Sequence, residues 1–87
     1  MYTGSEITSI VRAFIREAFL FGQDDEALTE AASFLGVGII DSTGILELVT
    51  FIEETYAIQV ADDEMLPENL DSLDNVSAFV LRKLGEQ

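Results

Sequence analysis

The stretch GVGIIDSTGILELVTFIEE, residues 36–54, changes its pattern at Asp41-Ser42-Thr43. Ahead of that corner, Gly36 and Gly38 break any continuing helix, and Ile39 and Ile40 are expected to dock the chain on a core. Behind it, Ile45, Leu48, Val49, Ile52 and Tyr56 recur at helical spacing, with Leu46 beside them. Asp41 makes a good N-cap, because its carboxylate can accept from the free N–H groups of a first turn. The spacing predicts a helix over Ser42–Tyr56, with the Ser42 hydroxyl exposed in its first turn. Glu47, Glu53 and Glu54 fall away from the centre of the apolar stripe.

Working outward, a first helix is predicted from about Gly4 to Phe21. Thr3 caps it, and Glu6 completes a capping box. Ile7, Ile10, Val11, Phe14, Ala18 and Phe21 share one face, and Gly22 offers a left-handed stop. Residues 23–41 then form a connection longer than most in a compact domain. A helical turn is expected within its ALTEAASFLG segment, with Phe34 and Leu35 as core anchors. Beyond the Ser42 helix comes the acidic ADDE loop. Pro67 suits the first turn of a short third helix over about Leu66–Leu70. Ser72 caps a fourth helix that carries Leu73, Val76, Phe79, Val80 and Leu84 and ends at Gly85. AIQVA is the one candidate strand. The expected fold is all-α: a small four-helix bundle with a long first loop and a short third helix, in one domain over residues 1–87.

Composition narrows the function classes. The 87 residues are 48% hydrophobic, which suits one small core. There is no cysteine, hence no disulfide framework and no cysteine metal site. No signal-like segment or membrane-spanning run is visible, so the protein is expected to be soluble and cytoplasmic. Seventeen acidic residues face four basic ones, a formal net charge of −13. Phosphate backbones and anionic membrane surfaces are recognised through Lys and Arg, so neither is expected as a partner. The same field steers basic proteins toward the chain and strains the fold by self-repulsion.

Three roles compete for Ser42. It is an ordinary helix-start residue, a nucleophile, or a residue displayed for modification. A serine nucleophile needs a base. The chain has no histidine, and none of its Lys or Arg lies near Ser42 in sequence. Asp41 is a poor base at the usual aspartate pKa near ~3.9. A phosphate ester on Ser42, by contrast, would meet the positive end of the helix dipole. Gly38 and Gly44 are expected to leave the surroundings open to a modifying enzyme. Asp62, Asp63 and Glu64 lack EF-hand spacing and its glycine, so no metal site is expected there, only a solvated loop.

The text GIIDSTGILELVTFIEETYAIQVADDEMLPENLDSL, with helices before and after it, resembles the acyl carrier and peptidyl carrier proteins. The likeness rests on the Asp-Ser signature, the apolar and acidic helix behind it, the acidic loop and the short third helix. It implies that Ser42 receives 4'-phosphopantetheine from coenzyme A through a separate Mg²⁺-dependent phosphopantetheinyl transferase. The arm's thiol would then carry an acyl or aminoacyl group as a thioester, so the chain itself would be no enzyme. Asp41 matches the flanking motif aspartate. Glu47, Glu53 and Glu54 match acidic partner-binding positions of the family's recognition helix, and Asp62, Asp63 and Glu64 match its acidic loop. The implied partners are the transferase, an acyl- or aminoacyl-loading ligase and downstream biosynthetic enzymes with basic surfaces, met by a monomer. Thr43 stands where the family has a partner-contacting leucine, which favours a dedicated carrier of one pathway over fatty acid synthesis. Phe14, Phe21, Phe34 and Phe79, with Tyr56, are expected to fill the core rigidly, so a short or polar cargo held outside the bundle is expected. The competing class is an acidic helical interaction module without a prosthetic group.

Overall fold

The computed structural model describes residues 2–22, 26 and 28–85. Residues 23–25 and 27, within the long connection, lie outside the described residues. The elements are α1 (Gly4–Phe19), α2 (Phe34–Val37), α3 (Ser42–Tyr56), a 3-10 turn (Asp62–Glu64), α4 (Pro67–Leu70) and α5 (Leu73–Gly85). Among the described residues there is no strand, and no helix is long and apolar enough to cross a membrane. Helix α5 packs against α1 and α4, and α3 lies against both α1 and α5.

Local chemistry explains most of the boundaries. Thr3 Oγ1 accepts from Glu6 N and Glu6 Oε1 accepts from Thr3 N, each at 3.1 Å, which closes the expected capping box. Asp41 and Ser72 cap α3 and α5 as anticipated, accepting from Gly44 N at 2.7 Å and Asn75 N at 3.0 Å. Pro67 opens α4, where its missing N–H costs nothing. In AIQVA, Ile58 and Val60 are buried and Gln59 is exposed, yet the segment pairs with no strand among the described residues. Ala57, its first residue, is the left-handed cap that ends α3.

Helix α1 differs from its sequence reading. It ends at Phe19, and the chain turns through Phe21 and Gly22 with φ of 53° and 80°. Phe21 therefore leaves the helical stripe and is 89% exposed, not a core residue. Ala18 is exposed as well. The centre of the buried face is Ile7, Val11 and Ile15, all at 0% exposure. Ile15 was masked in the sequence by the aromatic Phe14 beside it, which is only half-buried. Each such aliphatic side chain contributes roughly 1.5–3 kcal/mol on burial.

The long connection is pinned at several points. Its short helix among the described residues, α2, begins on Ser33, whose hydroxyl accepts from Gly36 N at 2.9 Å. Gly36 thus lies inside α2 instead of breaking a helix; Gly38, with φ of 78°, ends it. Phe34 is fully buried, while Leu35 stays 44% exposed and is no core anchor. Arg12 Nη1 donates to Leu28 O at 2.9 Å, Asp74 N to Glu30 O at 2.9 Å, and Phe34 N to Asp71 O at 2.8 Å.

The tightest approach is at the start of α3. A Cβ on Gly44 would fall 2.8 Å from both Phe19 Cε1 and Ile40 Cγ2. Gly44 is buried, so it does not open the surroundings of Ser42; it lets the helix start press against α1 and the connection. Gly44→Ala should lower stability by about 1–3 kcal/mol through overpacking. Ser42→Ala, two residues away and exposed, should stay within ~0.5 kcal/mol. Chemical denaturation of the two variants beside the parent checks the contrast, and equal stabilities would show that Phe19 and Ile40 yield freely.

Candidate functional site

Ser42 occupies the first position of α3 and is exposed. Its hydroxyl has no hydrogen-bond partner among the described residues. The Asp41 carboxylate beside it is turned onto Gly44 N, and Ile45 N donates to Asp41 O at 3.1 Å as the first helical bond. The N–H groups of Ser42 and Thr43 have no acceptor among the described residues. The helix start therefore offers an unengaged hydroxyl next to two unengaged donors, with the positive end of the backbone dipole behind them.

Ser42 also lies on the rim of a groove of about 250 Å³. Leu35, Ile45, Leu46, Met65, Leu66 and Leu70 supply most of its lining, with Pro67 and Asp71. The walls come from α2, α3 and α4, and Leu35, Leu46 and Leu66 are partly open to solvent. No aromatic ring lines it. Phe14 stacks instead on Phe51, on the face shared by α1 and α3. Thr43 faces elsewhere, into a more polar groove shared with Asp41, Ile39 and Glu47. Residues 41–44 thus divide an apolar groove on the Ser42 side from a polar one on the Thr43 side.

The acids separate into two kinds. Glu47 and Glu54 are exposed, without hydrogen bond or ion pair among the described residues. Glu53 is half-buried, and its Oε2 accepts from Val60 N at 2.9 Å. Its work is to fasten the chain after α3. Glu64 is likewise no member of a solvated loop. Its Oε1 accepts from Ala61 N at 3.0 Å and from Lys83 Nζ at 2.9 Å, joining the 3-10 turn to α5. The Ala61 N–H and the Lys83 ammonium hold the Glu64 carboxyl below the usual range. Asp62 and Asp63 remain exposed. The sequence offered one signal for Glu64: it stands three residues after Ala61, the spacing of a reciprocal cap.

No protein-family model matches the chain, and no curated protein matches it.

Two predictions follow from the division of the acids. Glu53→Ala should cost about 1–2 kcal/mol, because Val60 N is left without its charged acceptor. Glu47→Ala, removing a free exposed side chain, should be near neutral, and denaturant titrations of both variants test the difference. Glu64 has a folded pKa below its unfolded one, so its contribution is present above the ordinary carboxylate range and lost as pH falls through the folded pKa. Glu64→Gln should therefore flatten the acid side of the melting-temperature profile; an unchanged acid limb would show that the Lys83 contact is absent in solution.

Proposed function

We propose that the protein is a carrier that tethers an acyl or aminoacyl intermediate on a 4'-phosphopantetheine arm attached to Ser42. In this reading α1, α3, α4 and α5 are the four helices of a carrier-type bundle, and α2 is a turn within its long first loop. The observation that carries the proposal is the Ser42 hydroxyl: exposed, without a partner among the described residues, and standing at a capped helix start on the rim of an apolar groove.

The chain's own residues suit the attachment. Asp41 keeps the helix start rigid through Gly44 N, so Ser42 is held out at a fixed position. The Ser42 oxygen would form the new P–O bond while the nucleotide bisphosphate of coenzyme A departs, and the hydroxyl proton would pass to a base on the transferase. The resulting phosphodiester would sit against the free N–H groups of Ser42 and Thr43. Once bound, the arm supplies the thiol that the cysteine-free chain lacks. The groove beside Ser42 has room for a small apolar end of a cargo. At about 250 Å³ it lies under the ~300 Å³ where sites for drug-sized ligands begin. That supports a short acyl group or an apolar amino acid over a long chain. Phe34 and Phe79 fill the core, Phe21 is exposed, and none of the phenylalanines lines this groove. A cytoplasmic monomer serving a transferase, a loading ligase and downstream enzymes completes the proposal.

Intact-mass measurement after incubation with coenzyme A and a broad-specificity phosphopantetheinyl transferase tests it. The expected result is addition of one phosphopantetheine group to the parent and none to Ser42→Ala, with unchanged helical circular dichroism. No addition to a folded parent under several transferases would reject the carrier and leave the acidic interaction module.

A further inference from the structure

One wall of the groove beside Ser42 is held differently from the others. Ile45 and Leu46 project from α3, a long helix whose opposite face is core, and Leu35 follows the fully buried Phe34 in α2. Met65, Leu66 and Pro67 instead belong to a run, residues 61–69, in which no residue is buried. Buried Val60 and Leu70 bound that run, at 8% and 2% exposure. Its 3-10 turn and α4 are three and four residues long, too short to hold their shape unaided.

What fixes the run is polar and comes from α5. Glu64 Oε1 accepts from Lys83 Nζ at 2.9 Å. Asn69 Nδ2 donates to Glu64 O at 2.8 Å, and Asn69 Oδ1 accepts from Arg82 Nη2 at 3.2 Å. Asn75 Nδ2 donates to Pro67 O at 3.3 Å. Glu64 thus gathers the hold: its carboxylate meets Lys83, and its carbonyl meets the Asn69 that Arg82 reaches. The Lys83 and Glu64 side chains are only 18% and 25% exposed, so solvent screens this charge-assisted bond less than an ordinary surface pair. Glu64, Asn69, Arg82 and Lys83 do not line the groove, while Met65, Leu66 and Pro67 do. The same short run therefore carries the fastening and the wall. A segment with a few polar contacts and no buried side chain opens at lower cost than the core around it.

We propose that Arg82 and Lys83 set the length of cargo that the Ser42 groove accepts. Latched to α5 through Asn69 and Glu64, the wall of residues 61–69 limits the groove to a short chain. Unlatched, it swings out between Val60 and Leu70 and admits a longer one. The four latch residues are positioning residues, acting on the occupant only through the wall. The proposal rests on the carrier reading for calling that occupant cargo; the latch and the length limit belong to the unmodified chain.

Methyl-labelled protein without an arm, titrated with butanol, hexanol and octanol, tests it by nuclear magnetic resonance. Methyl signals of Leu46, Met65 and Leu66 report binding in the groove. Octanol should bind the parent no more than about twofold more tightly than butanol, because the latched wall denies the added methylenes their burial. Lys83→Met keeps the apolar stem and removes the ammonium. It should bind octanol about tenfold more tightly than the parent does, and butanol about as the parent does. Asn69→Ala, which frees Arg82 without changing the charge of the chain, should act in the same direction. Asp62→Asn with Asp63→Asn, in the same run but on exposed residues, should leave the limit where it is. Amide hydrogen exchange at Leu66, Asn69 and Leu70 should quicken about tenfold in both latch variants, with Val49, Ile52 and Val80 at the parent's rate. A general loss of stability would move both sets of amides together. Equal gain per methylene in parent and latch variants, unchanged exchange in the run, or faster exchange spread over α1 and α3 would overturn the proposal. No arm is present at any point, so such a failure leaves the carrier reading to its own mass measurement.

Discussion

The position of Ser42 depends on how closely the start of α3 is held. Two contacts fix it: the Asp41 carboxylate on Gly44 N at 2.7 Å, and the bare Gly44 backbone pressed toward Phe19 and Ile40. The cap sets where the helix begins, and the glycine sets how near that beginning comes to α1. Any side chain at residue 44 would push the turn outward and with it the residues on either side. The two grooves flanking residues 41–44 share this constraint, since Ile45 and Leu46 wall one while Gly44 and Glu47 wall the other.

Much of the framework was legible because it is written in local chemistry. Thr3 with Glu6, Asp41, Pro67 and Ser72 each mark a boundary by a hydrogen bond or a fixed φ within three residues of chain. The apolar face of α3 followed from spacing alone, with Leu48, Val49, Ile52 and Tyr56 all buried. What failed were mostly features decided by partners far away in sequence. The end of α1 is settled locally instead: Leu20 N and Gly22 N both donate to Arg16 O, and Phe21 is carried into solvent. Gly44 was read as open space, since nothing nearby in sequence reveals that Phe19 covers it. The groove beside Ser42 is assembled from α2, α3 and α4 and has no signature in any one of them.

The candidate acids show the same limit. Glu47, Glu53 and Glu54 are alike in type, but Glu47 and Glu54, seven residues apart, share a face of α3 while Glu53 lies about 100° round the helix from Glu54. There it is half-buried and reaches Val60 N, seven residues further on, which makes it the structural glutamate of the three. A stripe of acid on a helix is therefore not one functional unit. The residues left over after the fold has taken its share are the ones available to a partner.

That partition also explains how a chain of net charge −13 can fold with four basic side chains. Several carboxylates accept from backbone N–H groups, Glu64 from the Lys83 ammonium as well. Glu6 accepts from Thr3 N, Asp41 from Gly44 N, Glu53 from Val60 N, Glu64 from Ala61 N and Asp71 from Leu35 N. Hydrogen bonds to a charged acceptor are stronger than neutral ones, and they need no long side chain to be ordered on the donor side. The backbone thus supplies the positive poles at helix starts and loop entries. Arg12, Arg16 and Lys83 tie connecting segments to helices, and Arg82 ties α5 to Asn69 of α4. The acids outside these contacts, Glu47 and Glu54 among them, direct their field toward solvent, where dissolved cations screen it and a basic surface on another protein would complement it.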